Sequence, residues 1–410
     1  SHPGIHAFYC PFPRRSVRHP NRRLPIGTTG RAAHLPSPHW TNQESTRMNL
    51  LDLGWNTLLR TSFQEHQDKG LAPARISRED RGHYRLLSEG GESRAEVSGK
   101  FRHDAASRAE FPGVGDWVAA DIPPDRERAI IHTVLPRTSC FRRKVNLQRT
   151  EEQVVAANID VVWVVSGLDG GRNFNVRRLE RYLSLAWDSG AAPVVVLNKM
   201  DLCPEPDALI TAAREVAYGV PVCAVSATRA LGLEQLRQHL EPGHTATVVG
   251  PSGVGKSSLV NALAGAEMLA TQCNRDGDRR GRHTTTHREL IVLPEGGVII
   301  DTPGMRELQL WGEEDGSPLE ETFVEIHDLA AACRFRDCSH RGEPGCAVAA
   351  AVEQGALDPG RLESYLRLNR ELDYLARRKD QRAQQQEKAK WKAISKSQRQ
   401  WKKQQRRGHG

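Results

Sequence analysis

An α/β fold on a doubly wound, mostly parallel sheet is predicted by three features of this 410-residue sequence. Gly250-Pro251-Ser252-Gly253-Val254-Gly255-Lys256-Ser257 stands between the apolar run Thr247-Val248-Val249 and a stretch of helical character, Ser258 to Leu263. Two more apolar runs, Asn158 to Val165 and Pro193 to Leu197, read as buried strands on either side of helical spacing from Val176 to Asp188. Strands alternating with helices are the pattern of a parallel sheet covered on both faces. Ahead of them, short segments punctuated by glycine and charge between Leu71 and Phe141 predict a separate small β-barrel.

Charge is distributed unevenly along the chain. Residues 1–47 carry seven arginines against one acid, and residues 376–410 carry thirteen Lys/Arg against two acids. The net +8 therefore belongs to the ends, and the middle, with 38 basic and 47 acidic residues, is negative. A folded body with basic arms suits a polyanionic partner. The cysteines at positions 10, 140, 203, 223, 273, 333, 338 and 346 form no disulfide framework, which fits a reducing, cytoplasmic setting. No apolar run has the length that spans a bilayer, and no membrane partner is expected. Residues 1–47 hold seven prolines and precede the first methionine, Met48; they read as a disordered extension.

In the barrel region the candidate strands are Ala72 to Ile76, His83 to Leu87, Ala95 to Val97, Asp116 to Ala120 and Ala129 to Ile131. They predict a closed barrel of the oligonucleotide-binding kind, and an SH3-like barrel would leave a similar trace. Arg75, Arg85, Lys100, Arg102 and Arg108 are candidates for an RNA-facing side or for a solvated barrel face.

Asn198-Lys199-Met200-Asp201 follows directly on the strand ending at Leu197, where an open α/β sheet places ligand contacts. The Asp201 carboxylate can accept two hydrogen bonds from the ring N–H and exocyclic amine of guanine. Adenine offers neither in that arrangement, so it would leave a desolvated acid unpaired. Asn198 would fix the loop and touch the base, and the Lys199 stem would cover the base's face. Val222 to Ala227 is another strand, running into Ser226-Ala227 as the base-contacting turn. The glycine-rich string from Gly250 turns backbone N–H groups inward around phosphate oxygens at a helix N-terminus. Lys256 would reach the β/γ-phosphates, and the Ser257 hydroxyl would ligate Mg²⁺. Gly250 through Ser258 are thus all candidate nucleotide contacts.

These strings resemble the GTPase motif set in rotated order: base recognition precedes the phosphate loop, which precedes Asp301-Thr302-Pro303-Gly304. Such a circular permutation preserves the sheet when the original termini lie close together. With a small barrel before it and a Cys/His module after it, the chain resembles the ribosome small-subunit-dependent GTPase A family over residues 71–375. The resemblance implies GTP hydrolysis to GDP, stimulated by the small ribosomal subunit and its RNA during late subunit maturation. The competing reading is a GTP-controlled RNA-binding switch whose slow hydrolysis only resets the cycle. A monomer is expected.

Between the phosphate loop and Asp301, the polar stretch Asp276 to His283 and then Thr284-Thr285-Thr286 occupy the place of a mobile switch, followed by a hairpin from Arg288 to Ile300. The resemblance carries over the threonine run as Mg²⁺ ligand without singling out one member. Asp301 would hold Mg²⁺ through a water, and the Gly304 N–H would meet the γ-phosphate. Met305 stands where many GTPases carry a water-orienting glutamine, and a thioether cannot orient water. His283 is the candidate replacement; a surface loop histidine is the alternative.

After a helix near Leu319 to Ala332, Cys333, Cys338, His340 and Cys346 can close a tetrahedral Zn²⁺ shell without an open position, hence a structural site. Helical spacing resumes from Ala347 to Glu353 and from Leu362 to Leu375. The expected organisation is an extension over 1–47, an N-terminal segment and barrel over 48–145, the permuted GTPase domain over 146–315, a zinc-binding helical domain over 316–375, and a basic tail over 376–410. The tail, with Trp391 and Trp401 interleaved, would order on RNA or remain solvated.

Overall fold

The computed structural model describes residues 48–80, 82–144, 152–170, 173–266, 268–269, 288–301 and 318–377. Its first strands are β1 (Ala72–Asp80), β2 (His83–Ser88), β3 (Gly91–Val97), β4 (Trp117–Asp121) and β5 (Ala129–Val134). They pair in the order β1-β2-β3-β5-β4, and β4 returns to β1 to close the barrel. All pairs are antiparallel except β3 with β5. Ala74, Ile76, Leu86, Ala120 and Ile131 fill the interior. A short helix between β3 and β4, Gly99–Asp104, is capped by the Ser98 hydroxyl, which accepts the Phe101 N–H at 3.0 Å. Closure in this order makes the barrel OB-like.

A helix not read from the sequence, Thr57–Gln67, lies against the barrel. Asn56 caps it, and Leu59 and Phe63, one turn apart, bury against Trp117 and Leu135. Arg75 corrects an expectation. It is 1% exposed rather than RNA-facing, and its guanidinium donates to the carbonyls of Leu53, Gly115 and Asn158. With Ala74 and Ile76 inside the barrel, residue 75 alternates onto the outer face of its wall, and there the Leu53, Gly115 and Asn158 carbonyls take up its charge. Arg85 and Arg108 pair with Glu92 and Glu79 at 2.7 and 3.8 Å.

A second unexpected element is the two-stranded sheet of β6 (Cys140–Lys144) and β7 (Glu152–Ala157). Asn158, expected within the next strand, instead ends β7 at φ +53°. It turns the chain by donating to the Gly115 carbonyl and accepting the Thr138 N–H, both at 3.1 Å.

The central sheet contains β8 (Val161–Gly167), β9 (Ala192–Asn198), β10 (Val222–Ala224), β11 (Thr245–Val249), β12 (Glu289–Val292) and β13 (Val298–Asp301). Its order is β10-β9-β8-β11-β13-β12, parallel except for the expected β12–β13 hairpin. Strand β10 stops at Ala224, so Val225 to Ala227 belong to the turn. Both faces are covered. Val162 and Val164 of β8 pack with Leu179 and Leu183 of α3 (Val176–Asp188), while Trp163 and Val165 pack on the other side with Leu259 and Leu263 of α6 (Lys256–Ala264). Here α4 is Pro206–Val216, α5 is Leu233–Arg237, and α1 and α2 are the two barrel-side helices above.

The barrel and the central sheet are continuous, because β1 pairs with β12 at Arg78 and Glu289. Beside that pair Glu79 lies 3.6 Å from Arg288 and accepts a 3.4 Å hydrogen bond from Gln153. Burial raises the Glu79 carboxyl above its usual range, against the pull of Arg288 and Arg108.

The helix expected near Leu319 to Ala332 is broken at Phe323 into α7 (Pro318–Thr322) and α8 (Val324–Ala330). Phe323 is fully buried, and the Arg361 guanidinium stacks 4.5 Å from its ring. Next come α9 (Ala347–Glu353) and α10, residues 359–377. Arg361 of α10 reaches Glu180 of α3 at 3.0 Å, Glu325 of α8 at 2.5 Å and the Thr322 carbonyl at 2.7 Å. This buried cluster fastens the C-terminal helices to the central domain. Among the described residues no helix is long and apolar enough to cross a membrane.

Candidate functional site

Parallel pairing brings the carboxyl ends of β8, β9, β10, β11 and β13 to one edge of the sheet, although their order in sequence is rotated. The loop after β11 turns immediately at Gly250. Its φ is +145°, and a Cβ there would stand 2.3 Å from the Val165 carbonyl oxygen. Only glycine lets this loop lie so close to β8. Gly255, at φ +90°, begins α6, and a Cβ there would meet the Asn198 amide at 2.4 Å.

Pro251, Gly255, Ser257 and Ser258 are half-buried, Ser252 and Gly253 are exposed, and Val254 is buried in the core beneath the loop. The Lys256 ammonium donates to the carbonyls of Gly250 at 3.0 Å and Pro251 at 2.8 Å. It is thereby curled over the loop.

Asn198 joins the phosphate loop to the base-side turns. It is 2% exposed, its Nδ2 donates to the Val254 carbonyl at 2.8 Å, and its Oδ1 accepts the Ala227 N–H at 3.1 Å. The Ser226–Leu231 turn is closed by backbone hydrogen bonds in both directions, and the buried Ser226 hydroxyl accepts the Arg229 N–H at 3.1 Å. Asp201 projects from the turn after β9. It is exposed, and its carboxylate accepts from the Thr228 hydroxyl at 3.5 Å.

Lys199 adopts the left-handed backbone conformation at φ +64°, and its Nζ lies 2.6 Å from Asp169 Oδ2. Asp301 ends β13 beside β11, where Thr247 Oγ1 donates to the Ile300 carbonyl at 2.9 Å.

The expected base and phosphate residues Asn198, Lys199, Asp201, Ser226, Ala227 and Gly250 to Ser258 thus share one sheet edge with Asp301. His283, Thr284, Thr285, Thr286 and Gly304 lie outside the described residues, as do residues 1–47, Met305, Trp391 and Trp401. Sequence reasoning passed over Asp169, Asn173 and Thr228. An acid directly after a strand, in Gly167-Leu168-Asp169-Gly170, was the available signal for the first.

A second cluster follows α8. Cys333, Cys338, His340 and Cys346 offer ligand atoms all within 4.8 Å of one another. Cys333 and Cys346 Sγ are 3.9 Å apart, and each is 3.6–3.7 Å from His340 Nδ1. Tetrahedral zinc with bonds of about 2.3 Å places its sulfur ligands about 3.8 Å apart, so the set fits such an ion. The thiols are all free. Burial holds the His340 imidazole below its usual value, against the opposing charge of Glu343, which favours the neutral form a metal requires.

Around the ligands, Glu343 accepts from the Ser339 hydroxyl and from the N–H groups of Ser339 and Arg341. These bonds, the Ser339 hydroxyl foremost, hold its carboxyl down at about 2. The loop between Cys338 and Cys346 is therefore shaped by an acid as well as by its glycines.

The sequence profile of the RsgA GTPase family matches residues 134–311. A small ribosomal subunit biogenesis GTPase RsgA from Opitutus terrae is 45% identical over 360 residues, covering 86% of this chain and 97% of the relative. The protein named small ribosomal subunit biogenesis GTPase RsgA 1 from Oceanobacillus iheyensis is 46% identical over 322 residues, covering 78% and 91%. Among solved structures, YjeQ from Thermotoga maritima is similar at a TM-score of 0.55 and 28% identity, covering 74% of this chain and 98% of that one. YloQ, described as a circularly permuted GTPase, is similar at 0.54 and 27%, covering 74% and 95%. The phosphate loop, the rotated strand order, the barrel and the Cys/His cluster are thus those of a circularly permuted GTPase, and the chain belongs to the RsgA GTPase family.

Proposed function

We propose that this chain hydrolyses GTP to GDP and phosphate on the small ribosomal subunit, late in that subunit's maturation. The observation that carries the reading is the Asn198 amide, which bonds Val254 of the phosphate loop and Ala227 of the base-side turn at once. One buried side chain thereby sets the distance between a base pocket and a phosphate pocket. That is what recognition of a whole guanine nucleotide requires. The role on the small subunit follows the names of the relatives, and a barrel next to the nucleotide domain offers a surface for ribosomal RNA.

In this reading Asp201 accepts the two guanine N–H groups, Lys199 covers the ring, and Ser226-Ala227 close the pocket. The N–H groups from Gly250 to Ser258 hold the phosphates. Lys256 exchanges its two loop carbonyls for β/γ-phosphate oxygens and neutralises charge as water attacks in line. Ser257, Asp301 and one of Thr284, Thr285 or Thr286 would hold Mg²⁺, which screens phosphate charge. Gly304 N–H meets the γ-phosphate, and His283 orients the water in place of a glutamine at Met305.

The Cys333, Cys338, His340 and Cys346 set would hold one structural Zn²⁺. The working unit is a cytoplasmic monomer, with the barrel within 48–145, the GTPase domain over 146–315, the helical module over 316–375 and a basic RNA-binding tail beyond.

The test is steady-state hydrolysis of GTP and ATP with purified small subunits, with large subunits and with neither. Stimulation by small subunits alone, for GTP alone, and its loss in His283→Ala are expected. Equal rates throughout, with RNA affinity that depends on the nucleotide, would replace the stimulated enzyme with the RNA-binding switch.

A further inference from the structure

Next to the base-side turn lies a charged group that the mechanism above does not use. Asp169 follows β8 directly and faces Lys199, with both side chains about four-fifths buried, at 18% and 20% exposure. Ion pairs on open surface contribute little because both partners stay mobile and hydrated. This pair is clamped. Asn173 Nδ2 donates to Asp169 Oδ1 at 3.0 Å and Oδ2 at 2.7 Å, and Ser166 Oγ holds the Asn173 carbonyl at 3.0 Å.

Gly167 makes room for the clamp: a Cβ there would stand 3.0 Å from Asn173 Cβ and 3.2 Å from Asp169 Oδ1. The neighbouring backbone is registered as well, since Leu168 N–H donates to the Asn198 carbonyl at 2.8 Å. Burial alone would raise the Asp169 carboxyl, but its bonds to Lys199 and Asn173 bring it below the usual range, so it stays ionised.

We infer that Asp169, locked by Asn173, is a positioning residue for guanine-nucleotide binding that tethers the Lys199 ammonium so that its aliphatic stem is already laid out where the base docks. The inference rests on the reading of Lys199 as the residue covering the base. A free lysine loses rotamer freedom when a ligand immobilises it, and a tether removes that loss from the binding step. Because the base is common to both nucleotides, the tether acts equally on GTP and GDP. It touches neither the phosphates nor the attacking water.

The experiment compares Asp169→Asn, Lys199→Met and the double variant in the full-length protein, with ribose-labelled fluorescent GDP as probe and hydrolysis at varied GTP. Asp169→Asn is expected to weaken GDP and GTP alike by about fivefold, to raise KM by a similar factor and to leave kcat unchanged. Asp169→Glu, which keeps the charge, recovers most of the affinity. In the Lys199→Met background the Asp169 change adds nothing, because the two act through one contact.

If Lys199→Met weakens binding while Asp169→Asn does not, the tether is overturned and the base contact survives. Full additivity of the two changes, or an Asp169→Asn effect confined to kcat, also overturns it. If Lys199→Met, which keeps an aliphatic stem and drops the ammonium, leaves affinity unchanged, the tether is overturned; if Lys199→Ala, which removes the stem, also leaves it unchanged, the reading of Lys199 fails with it.

Discussion

At the nucleotide edge Asn198 is a buried side-chain amide with both ends occupied. It is buried at 2% exposure, so truncation strands the Val254 carbonyl and the Ala227 N–H together. An unpaired buried group costs roughly 1–3 kcal/mol. Asn198→Ala is accordingly expected to lose about 2 kcal/mol in urea unfolding and to weaken guanine-nucleotide binding more than about tenfold. The second effect exceeds the first in consequence, because base and phosphate pockets lose their fixed separation. Titration with fluorescent GDP checks it, and unchanged affinity in a folded Asn198→Ala protein would remove Asn198 from the site. The residue type was legible in advance as part of a strand-end motif. Its double use as a brace was not, since Val254 lies 56 residues away in sequence.

Between elements, the decisive joint is α3 against α7, α8 and α10. Arg361 is 5% exposed and serves Glu180, Glu325 and the Thr322 carbonyl while stacking on Phe323. Arg181 adds a two-pronged pair with Glu371 at 2.5 and 3.0 Å. Removing one partner of a buried pair costs roughly 3–5 kcal/mol because the other charge remains buried. Glu180 keeps Arg177 at 2.6 Å, so Arg361→Ala belongs at the lower end, about 3 kcal/mol in urea unfolding. A loss below about 0.5 kcal/mol, the size of an ordinary surface change, would mean that the cluster does not hold the module. Helix spacing located α3 and α9 correctly, and nothing in that spacing announced the break at Phe323. The break follows from packing: Phe323 must turn into the core to meet Arg361.

For the molecule as a whole, the module that carries Cys333, Cys338, His340 and Cys346 is small beside the core of the central domain that precedes it. Metal analysis is expected to find one zinc per chain. Its removal by a strong chelator under reducing conditions should lower Tm by about 5 °C, since about 1–2 kcal/mol shifts a domain of this size by a few degrees. A metal-free protein with the same Tm before and after chelation would overturn the zinc assignment. At the same scale, the barrel is joined to the central sheet through β1–β12 and the Glu79–Arg288 pair.

Residue chemistry along the chain determined the parts that depend on local rules. Glycine spacing marks a phosphate loop, apolar runs mark buried strands, cysteine and histidine spacing marks a metal set, and motif order marks a permutation. The first three signals are local because a loop conformation, a pleat or a ligand shell needs only neighbouring residues. The tertiary structure alone decided which charges face inward. Arg75 looks like an RNA-facing arginine in its strand and is a buried tie between barrel and central domain. Asp169, passed over in the sequence, is the partner of Lys199, 30 residues on. Burial and pairing of this kind are set by which surfaces the fold brings together, and no periodicity within a single element encodes them.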